Sequence, residues 1–342
     1  MKSFAIPIVF VLAGCGAAVP YGGNPVPGLG PALAPVAHPG HADRRDSRMS
    51  PEGKASKQLM YVGDWSTDDV FVYDYPSGNA VGTLTGFNEP YAMCVDAKGD
   101  VYVANFGGGD VLEYAHGGTT LLNTYASGGE PIGCSVDAHN DLAVTSFDGG
   151  TVTVYAGGDP SKSASYSDPD CEYAWPGGYD DKGNLYAIGE SNSIYVCELP
   201  KGAKTMRTVK TNANITIDFP GGVMWDGKYL TLTSQEGGVN GGSPIARVRE
   251  GKDGDLTLVS TTTLYDNCYN NSVDVVAPFI VAKKNTPANR KEGYAVSGPN
   301  LWCANAGTSK VDTWSYPAGG EPESYLPSPP AEPYGVAVSI AP

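Results

Sequence analysis

The segment from Glu89 to Tyr125, EPYAMCVDAKGDVYVANFGGGDVLEYAHGGTTLLNTY, restricts the fold more than any other part of the chain. Its apolar runs Tyr91–Val95, Val101–Ala104, Val111–Tyr114 and Thr120–Tyr125 have strand length and are rich in Val, Tyr and Leu. Lys98-Gly99-Asp100, Gly107-Gly108-Gly109 and Gly117-Gly118 lie between them and supply the turns. An antiparallel meander of four strands in about 40 residues is the unit from which β-propellers are built.

The unit recurs. EPYAMCVDAKGDVYVAN at Glu89 returns as EPIGCSVDAHNDLAVTS at Glu130, and shortened forms follow as WPGGYDDKGNLYAIG from Trp175 and FPGGVMWDGKYLTLTS from Phe219. A stretched unit places its first strand within residues 272–282, an insertion carrying Lys283, Lys284 and Arg290 next, then strands at Leu301–Asn305 and Val311–Tyr316. The folded sequence opens at Leu59 with three strands only, and EPYGVAVSIA from Glu332 repeats the opening of the Glu89 unit and then stops. The pattern predicts an all-β, six-bladed β-propeller of four-stranded antiparallel blades. Pairing the C-terminal strand into the first blade closes it and removes the exposed edges.

Ahead of this domain, residues 1–14 read as an export leader, with Lys2, an apolar run from Phe4 to Leu12 and small residues after it. The run is too short to span a bilayer. Leu12-Ala13-Gly14-Cys15 resembles a bacterial lipobox, which implies a lipoprotein whose first mature residue is lipidated Cys15, anchored to the cell envelope without crossing a membrane. Residues 15–58, with seven Pro and seven Gly between Gly16 and Lys57 and no helix or strand period, are predicted to be a disordered tether to a propeller at 59–342. His38 and His41 fall in that tether with no further ligand nearby and read as a solvated pair.

The net charge of −15 belongs to the folded part, where 16 basic residues face 34 acidic ones from Leu59 onward. No basic patch suggests nucleic acid as a partner. Solubility outside the cell explains the acidity, with cation binding as the alternative.

The units resemble the NHL-repeat family of six-bladed propellers. That family's units carry a Pro, a Gly two residues on, an aspartate and a turn into a V-Y-V-A strand; Asp96, Asp137, Asp180 and Asp226 keep the aspartate, and Lys98-Gly99-Asp100-Val101-Tyr102 and Lys182-Gly183-Asn184-Leu185-Tyr186 keep the turn. The resemblance covers nearly all of 59–342 and implies a fold and little chemistry. Gluconolactonase-like propellers are a more distant resemblance, implying a metal-dependent lactonase, hydrolase or lyase as the alternative function. That family holds its metal with ligands at entries to innermost strands, whereas the residues after the entry prolines here are Tyr91, Ile132, Gly177, Gly221 and Tyr334. The expected role is therefore a non-catalytic binding module for a protein, peptide or glycan, acting as a monomer.

In such a propeller, the loops into innermost strands and those between second and third strands share one face around the axis. Glu89, Glu130 and Glu332 occupy equivalent entries there, with Asp170, Glu172 and Asp218 near their counterparts. The same face is expected to carry Asp64, Trp65, Asn105, Phe106, Asp110, Phe147, Asp148, Glu190, Glu236 and Asn305. Carboxylates converging on one mouth would hold Ca²⁺ or another divalent cation through Glu89, Glu130 and Glu332, or else each Glu-Pro simply faces water. Trp65, Phe106 and Phe147 fall just after the second strand of successive blades, placed either to stack on a ligand or to pack between blades. His116 and His139 lie in turns, and no Ser, His and Asp grouping follows from spacing.

With Cys15 assigned to lipid, the remaining cysteines are Cys94, Cys134, Cys171, Cys197, Cys268 and Cys303, an even number that permits disulfides in an exported chain. Cys171 with Cys197 and Cys268 with Cys303 are candidate bridges. Cys94 and Cys134 are offset by one position relative to the Glu-Pro landmark, which turns them to opposite faces of their strands. They and Cys303 read equally as buried thiols. The absence of a C-x-x-C pair argues against structural zinc.

Overall fold

The computed structural model describes residues 46–235, 242–265, 279–281, 300–306, 308–322, 324–326 and 328–341. Their strands sort into six sheets of antiparallel neighbours. Sheet I runs, in spatial order, Arg48–Met49, Ala80–Leu84, Asp69–Asp74, Gln58–Asp64 and Pro333–Ile340. Sheet II is Pro90–Val95, Val101–Asn105, Asp110–Tyr114 and Leu121–Ala126, and sheet III is Pro131–Val136, Leu142–Ser146, Thr151–Tyr155 and Ser163–Ser167. Sheet IV holds Leu185–Glu190, Ile194–Leu199 and Arg207–Val209, with its first strand broken into Tyr173–Ala174 and Gly178–Tyr179. The break falls at Trp175-Pro176-Gly177, where proline has no N–H to give the ladder and Gly177 donates instead to Thr145 Oγ1 of sheet III at 3.1 Å. Sheet V is Pro220–Trp225, Leu230–Ser234, Pro244–Glu250 and Leu256–Thr263; sheet VI is Phe279–Val281, Asn300–Asn305, Lys310–Ser315 and Ser324–Tyr325. The chain is thus an all-β propeller of four-stranded antiparallel blades.

Apolar clusters join each sheet to the next. Tyr61 and Leu84 of sheet I pack with Val103 and Leu112 of sheet II, while Tyr102 and Val111 of sheet II pack with Val136 and Leu142 of sheet III. Val152 meets Leu185 between III and IV, Ile188 meets Leu232 between IV and V, and Ile245 meets Trp314 between V and VI. Trp302 and Val311 of sheet VI pack with Met60 and Val336 of sheet I. The inner strands are therefore buried on both faces, so VYVAN and LAVTS read as continuous runs instead of alternating ones. The last strands of sheets II and III have water on one side, and most of their residues are exposed.

The recurrent aspartates are turn chemistry. Asp96 Oδ1 accepts from Lys98 and Asp100 N–H groups, both at 2.9 Å. Asp137 does the same for His139 and Asp141, Asp180 for Lys182 and Asn184, and Asp226 for Lys228 and Tyr229. The turn takes a residue of positive φ, supplied by Gly99, Asn140, Gly183 and Gly227. Asp100 follows the first of these turns; burial, then the charges of Asp96 and Glu113, push its carboxyl up to about 6. A folded pKa above the unfolded value near 3.9 means that the native state holds the proton more tightly, so this group favours folding increasingly as pH falls from about 6 to 4. Asp100→Asn is expected to stabilise the protein at pH 7 by on the order of 1 kcal/mol, with the difference from wild type vanishing toward pH 4. Urea unfolding across that range checks it, and parallel pH profiles would count against it.

Gln58–Asp64 pairs with Pro333–Ile340 from Gln58↔Ile340 to Asp64↔Pro333. The junction is also held from the side. His116 Nε2 donates to Ser56 O at 2.9 Å, its Nδ1 lies 2.6 Å from Ser339 Oγ, and Ser339 Oγ donates to Gly99 O at 2.5 Å. Burial holds the His116 pKa below its ordinary value.

Two sequence expectations change here. The tether was expected to run to residue 58, but its last part is structured. Arg48–Met49 pairs with Gly82–Thr83, and Ser50 Oγ caps the short helix Pro51–Ala55 by accepting from Gly53 N–H at 3.1 Å. The Ser-Pro that reads as linker is an N-cap followed by a first-turn proline, and Met49 is buried against Val81 and the core. The rest of that expectation, with the leader and Cys15, lies outside the described residues.

The cysteine reading also changes. Cys94 and Cys134 form a disulfide with Cα atoms 5.6 Å apart. Sheets stacked like pages present opposite faces to each other, so the one-position offset is what lets side chains from neighbouring sheets meet. Cys171 and Cys197 form a second bridge across 26 residues. Cys303 is disulfide-bonded rather than free, and its expected partner Cys268 lies outside the described residues.

Candidate functional site

At the Glu-Pro end of the blades one main-chain device repeats. The carbonyls of Glu332, Glu89, Glu130 and Phe219 accept from the N–H groups of Trp65, Phe106, Phe147 and Gln235 at 3.0, 3.1, 2.8 and 2.8 Å. The entry position is therefore fixed by its backbone, and sheet V fills it with phenylalanine. Glu130 is exposed, and Glu89 and Glu332 are half-buried. Partial burial and the charge of Asp148 raise the Glu130 pKa. Among the described residues, no three His, Cys, Asp or Glu side chains are grouped so as to hold a metal ion. Glu89, Glu130 and Glu332, which the sequence offers either as a cation site or as residues facing water, are not grouped in that way.

Three further candidates are committed to the fold. Asp64, Asn105 and Asn305 each end the second strand of their sheet and are buried. Asp64 Oδ1 accepts from Ser66 N–H, Ser66 Oγ and Thr67 N–H at 2.9, 2.7 and 3.1 Å, and its Oδ2 accepts from Glu332 N–H at 3.2 Å. Asn105 Oδ1 accepts from Asn88 N–H at 2.6 Å while its Nδ2 donates to Asp110 Oδ1 at 2.7 Å. Asn305 Oδ1 accepts from Thr308 N–H at 3.2 Å. A short oxygen-bearing side chain is needed here because the turn into the third strand leaves main-chain N–H groups without ladder partners. Asp170 is likewise engaged, accepting from Thr208 Oγ1 at 2.8 Å. Glu236 lies outside the described residues.

The aromatic candidates do come together, with partners that sequence reasoning missed. Trp65 stacks on Tyr334 at 4.8 Å between ring centroids and packs against Phe106 at 5.5 Å and Tyr91 at 6.0 Å. Phe147 meets Trp175 edge-on at 5.5 Å, and Trp175 meets Phe219 at 5.2 Å. All of them belong to one cluster with Ile132. Tyr91, Ile132 and Tyr334 directly follow entry prolines, and Trp175 and Phe219 precede theirs. These flanking residues are buried, apart from Phe219, which like Trp65, Phe106 and Phe147 remains partly exposed. Of the acidic, aromatic face expected from the sequence, the rings are thus found packed on one another, with Trp65, Phe106, Phe147 and Phe219 keeping partial exposure. The signal available in the sequence was the large apolar residue flanking each entry proline.

His116 and His139 belong to the turns at the other end of the sheets. His139 is exposed and its Nδ1 lies 3.1 Å from Asp137.

No family model matches the chain, and no curated protein matches it. Solved structures do. A chain in a crystal structure of a nidogen/laminin complex is similar with a TM-score of 0.59 and 13% identity, covering 83% of this chain and 99% of that one. The virginiamycin B lyase of Staphylococcus aureus is similar with a TM-score of 0.54 and 12% identity over 86% of this chain and 90% of the lyase. A streptogramin B lyase gives 0.52 and 13% over 86% and 89%. At these identities the likeness establishes the propeller fold alone.

Proposed function

We propose that this is a non-catalytic binding module that presents the aromatic patch around Trp65, Phe106, Phe147 and Phe219 to a protein or glycan partner. One observation carries the reading: Asp64, Asn105 and Asn305, which sequence alone offers as ligand residues, are spent on turns, while Trp65, Phe106, Phe147 and Phe219 from several blades stay partly exposed. Partly exposed rings on a rigid scaffold suit recognition, because they add contact area at little entropy cost. The similar folds include a lyase and a chain from a nidogen/laminin complex, and their shape favours neither role.

Six blades closed by the Pro333–Ile340 strand are part of the same reading. The pairing with Gln58–Asp64 and the run of core clusters from sheet to sheet support it. Export to the cell envelope with a lipid on Cys15 is inferred from the leader and lipobox, and the disulfides Cys94–Cys134 and Cys171–Cys197, with that of Cys303, are in keeping with an oxidising compartment.

Tryptophan fluorescence titration with oligosaccharides and with candidate envelope proteins tests the function. Trp65→Ala or Phe147→Ala is expected to weaken any such complex by at least about tenfold, the size expected of a central aromatic contact. Lactone and streptogramin turnover is expected to stay at the buffer rate with Mg²⁺, Ca²⁺ or Mn²⁺. Metal-dependent turnover would replace the binding reading with the enzyme one.

A further inference from the structure

Sheet IV carries a second, separate opening. Its fourth strand, Arg207–Val209, is three residues long, whereas those of sheets II, III and V have six, five and eight. The ladder to the third strand stops at Val196↔Val209, although the third strand continues to Ile194 and pairs inward there with Glu190. After Val209 the chain turns to sheet V instead, where Leu256 N–H donates to Lys210 O at 2.8 Å and Asn212 N–H to Leu256 O at 3.0 Å. The edge at Ile194–Tyr195 is therefore left without a fourth strand, and the 210–217 segment forms a wall opposite it. A cleft of about 770 Å³ lies between them. Its sides are Ile194, Tyr195, Ile215 and Ile217, with Thr208 and Lys210. Ile194, Ile215 and Ile217 rest on the core shared by sheets IV and V, which gives that side of the cleft a packed apolar floor.

We infer that this cleft binds an extended peptide, which adds to the free edge of Ile194–Tyr195 as the missing part of a fourth strand and sets a carboxylate against Lys210. Strand addition uses an unpaired edge for main-chain hydrogen bonds and apolar surface beside it for side chains; Ile194–Tyr195 supplies a short edge and the isoleucine-lined cleft supplies the surface. The charge supplies the rest. Lys210 is the one charged residue among those lining the cleft, it is exposed, and it has no ion-pair partner among the described residues. Asp168 and Asp170 accept from the hydroxyl of the lining Thr208, so the positive charge is local to Lys210, and an aliphatic segment with a single carboxylate placed there fits it better than a generally acidic one.

Panning a random octapeptide display library on the purified full chain tests this. The expected consensus has β-branched or aliphatic residues at alternate positions and one Asp, Glu or C-terminal carboxylate. A synthetic peptide of that consensus is expected to lose about tenfold in affinity on Lys210→Met and to keep it on Trp65→Ala, which separates this cleft from the aromatic patch. N-methylation of the peptide's edge-facing amides is expected to abolish binding while methylation of the alternate set leaves it, a readout that does not depend on how any protein variant folds. Absence of enrichment, or a consensus peptide indifferent to both Lys210→Met and N-methylation, would overturn the inference.

Discussion

Replacing Cys94 and Cys134 together by alanine is expected to lower the unfolding free energy by about 4 kcal/mol. The bridge spans 40 residues and joins the first strands of two sheets, so its loss restores to the unfolded chain the entropy of a loop of that length. Loss of the Cys171–Cys197 bridge, which spans 26 residues, is expected to cost about 3.5 kcal/mol on the same argument. Equilibrium unfolding in urea with and without reductant measures both. A loss below about 1 kcal/mol for the first pair would show that sheets II and III are held by packing alone.

Asp64→Ala is expected to destabilise the protein by about 3 kcal/mol, because it strands several buried donors at once. The N–H groups of Ser66, Thr67 and Glu332 all use that carboxylate, and the last of them belongs to the entry of the C-terminal strand. Asp64→Asn retains one carbonyl acceptor and is expected to cost about 1 kcal/mol, roughly what a single net hydrogen bond contributes. The two midpoints in urea distinguish a structural carboxylate from a ligand-binding one. A ligand residue would be replaced by alanine with stability unchanged or improved, since its removal relieves repulsion rather than exposing donors.

Much of the fold was legible because inter-blade burial imposes continuous apolar runs, and because the turns demand the same residues each time. Asp96, Asp137, Asp180 and Asp226 mark one turn of sheets II to V, and the Glu-Pro landmark marks the strand beside Gln58–Asp64 as well as those at Pro90 and Pro131. The candidate site was less legible for a reason contained in the same repeats. Propeller geometry puts Asp64, Asn105 and Asn305 on the shared face and so offers them as ligand residues, whereas a residue that recurs blade after blade is more simply serving the blade. The aromatic partners are not legible in the sequence because the packing of Tyr91 and Tyr334 on Trp65 depends on geometry around the axis that no single repeat contains. The helix at Pro51–Ala55 was lost in a stretch whose Pro and Gly content matches that of a linker. The cysteine pairing needed the three-dimensional fact that stacked sheets turn opposite faces to one another.

The shared face, and every role assigned to it, depends on the head and tail of the chain forming one sheet. Native-state hydrogen exchange at Leu59, Tyr61, Ala337 and Ser339 tests this most directly, because Ala341 N–H donating to Lys57 O makes Leu59↔Ser339 and Tyr61↔Ala337 the hydrogen-bonded pairs of the register. The expected result is that these amides exchange only through global unfolding, with the same free energy as Val103 and Val144 in the middle of sheets II and III. Fast exchange at Ala337 and Ser339 while Val103 and Val144 stay protected would contradict the account.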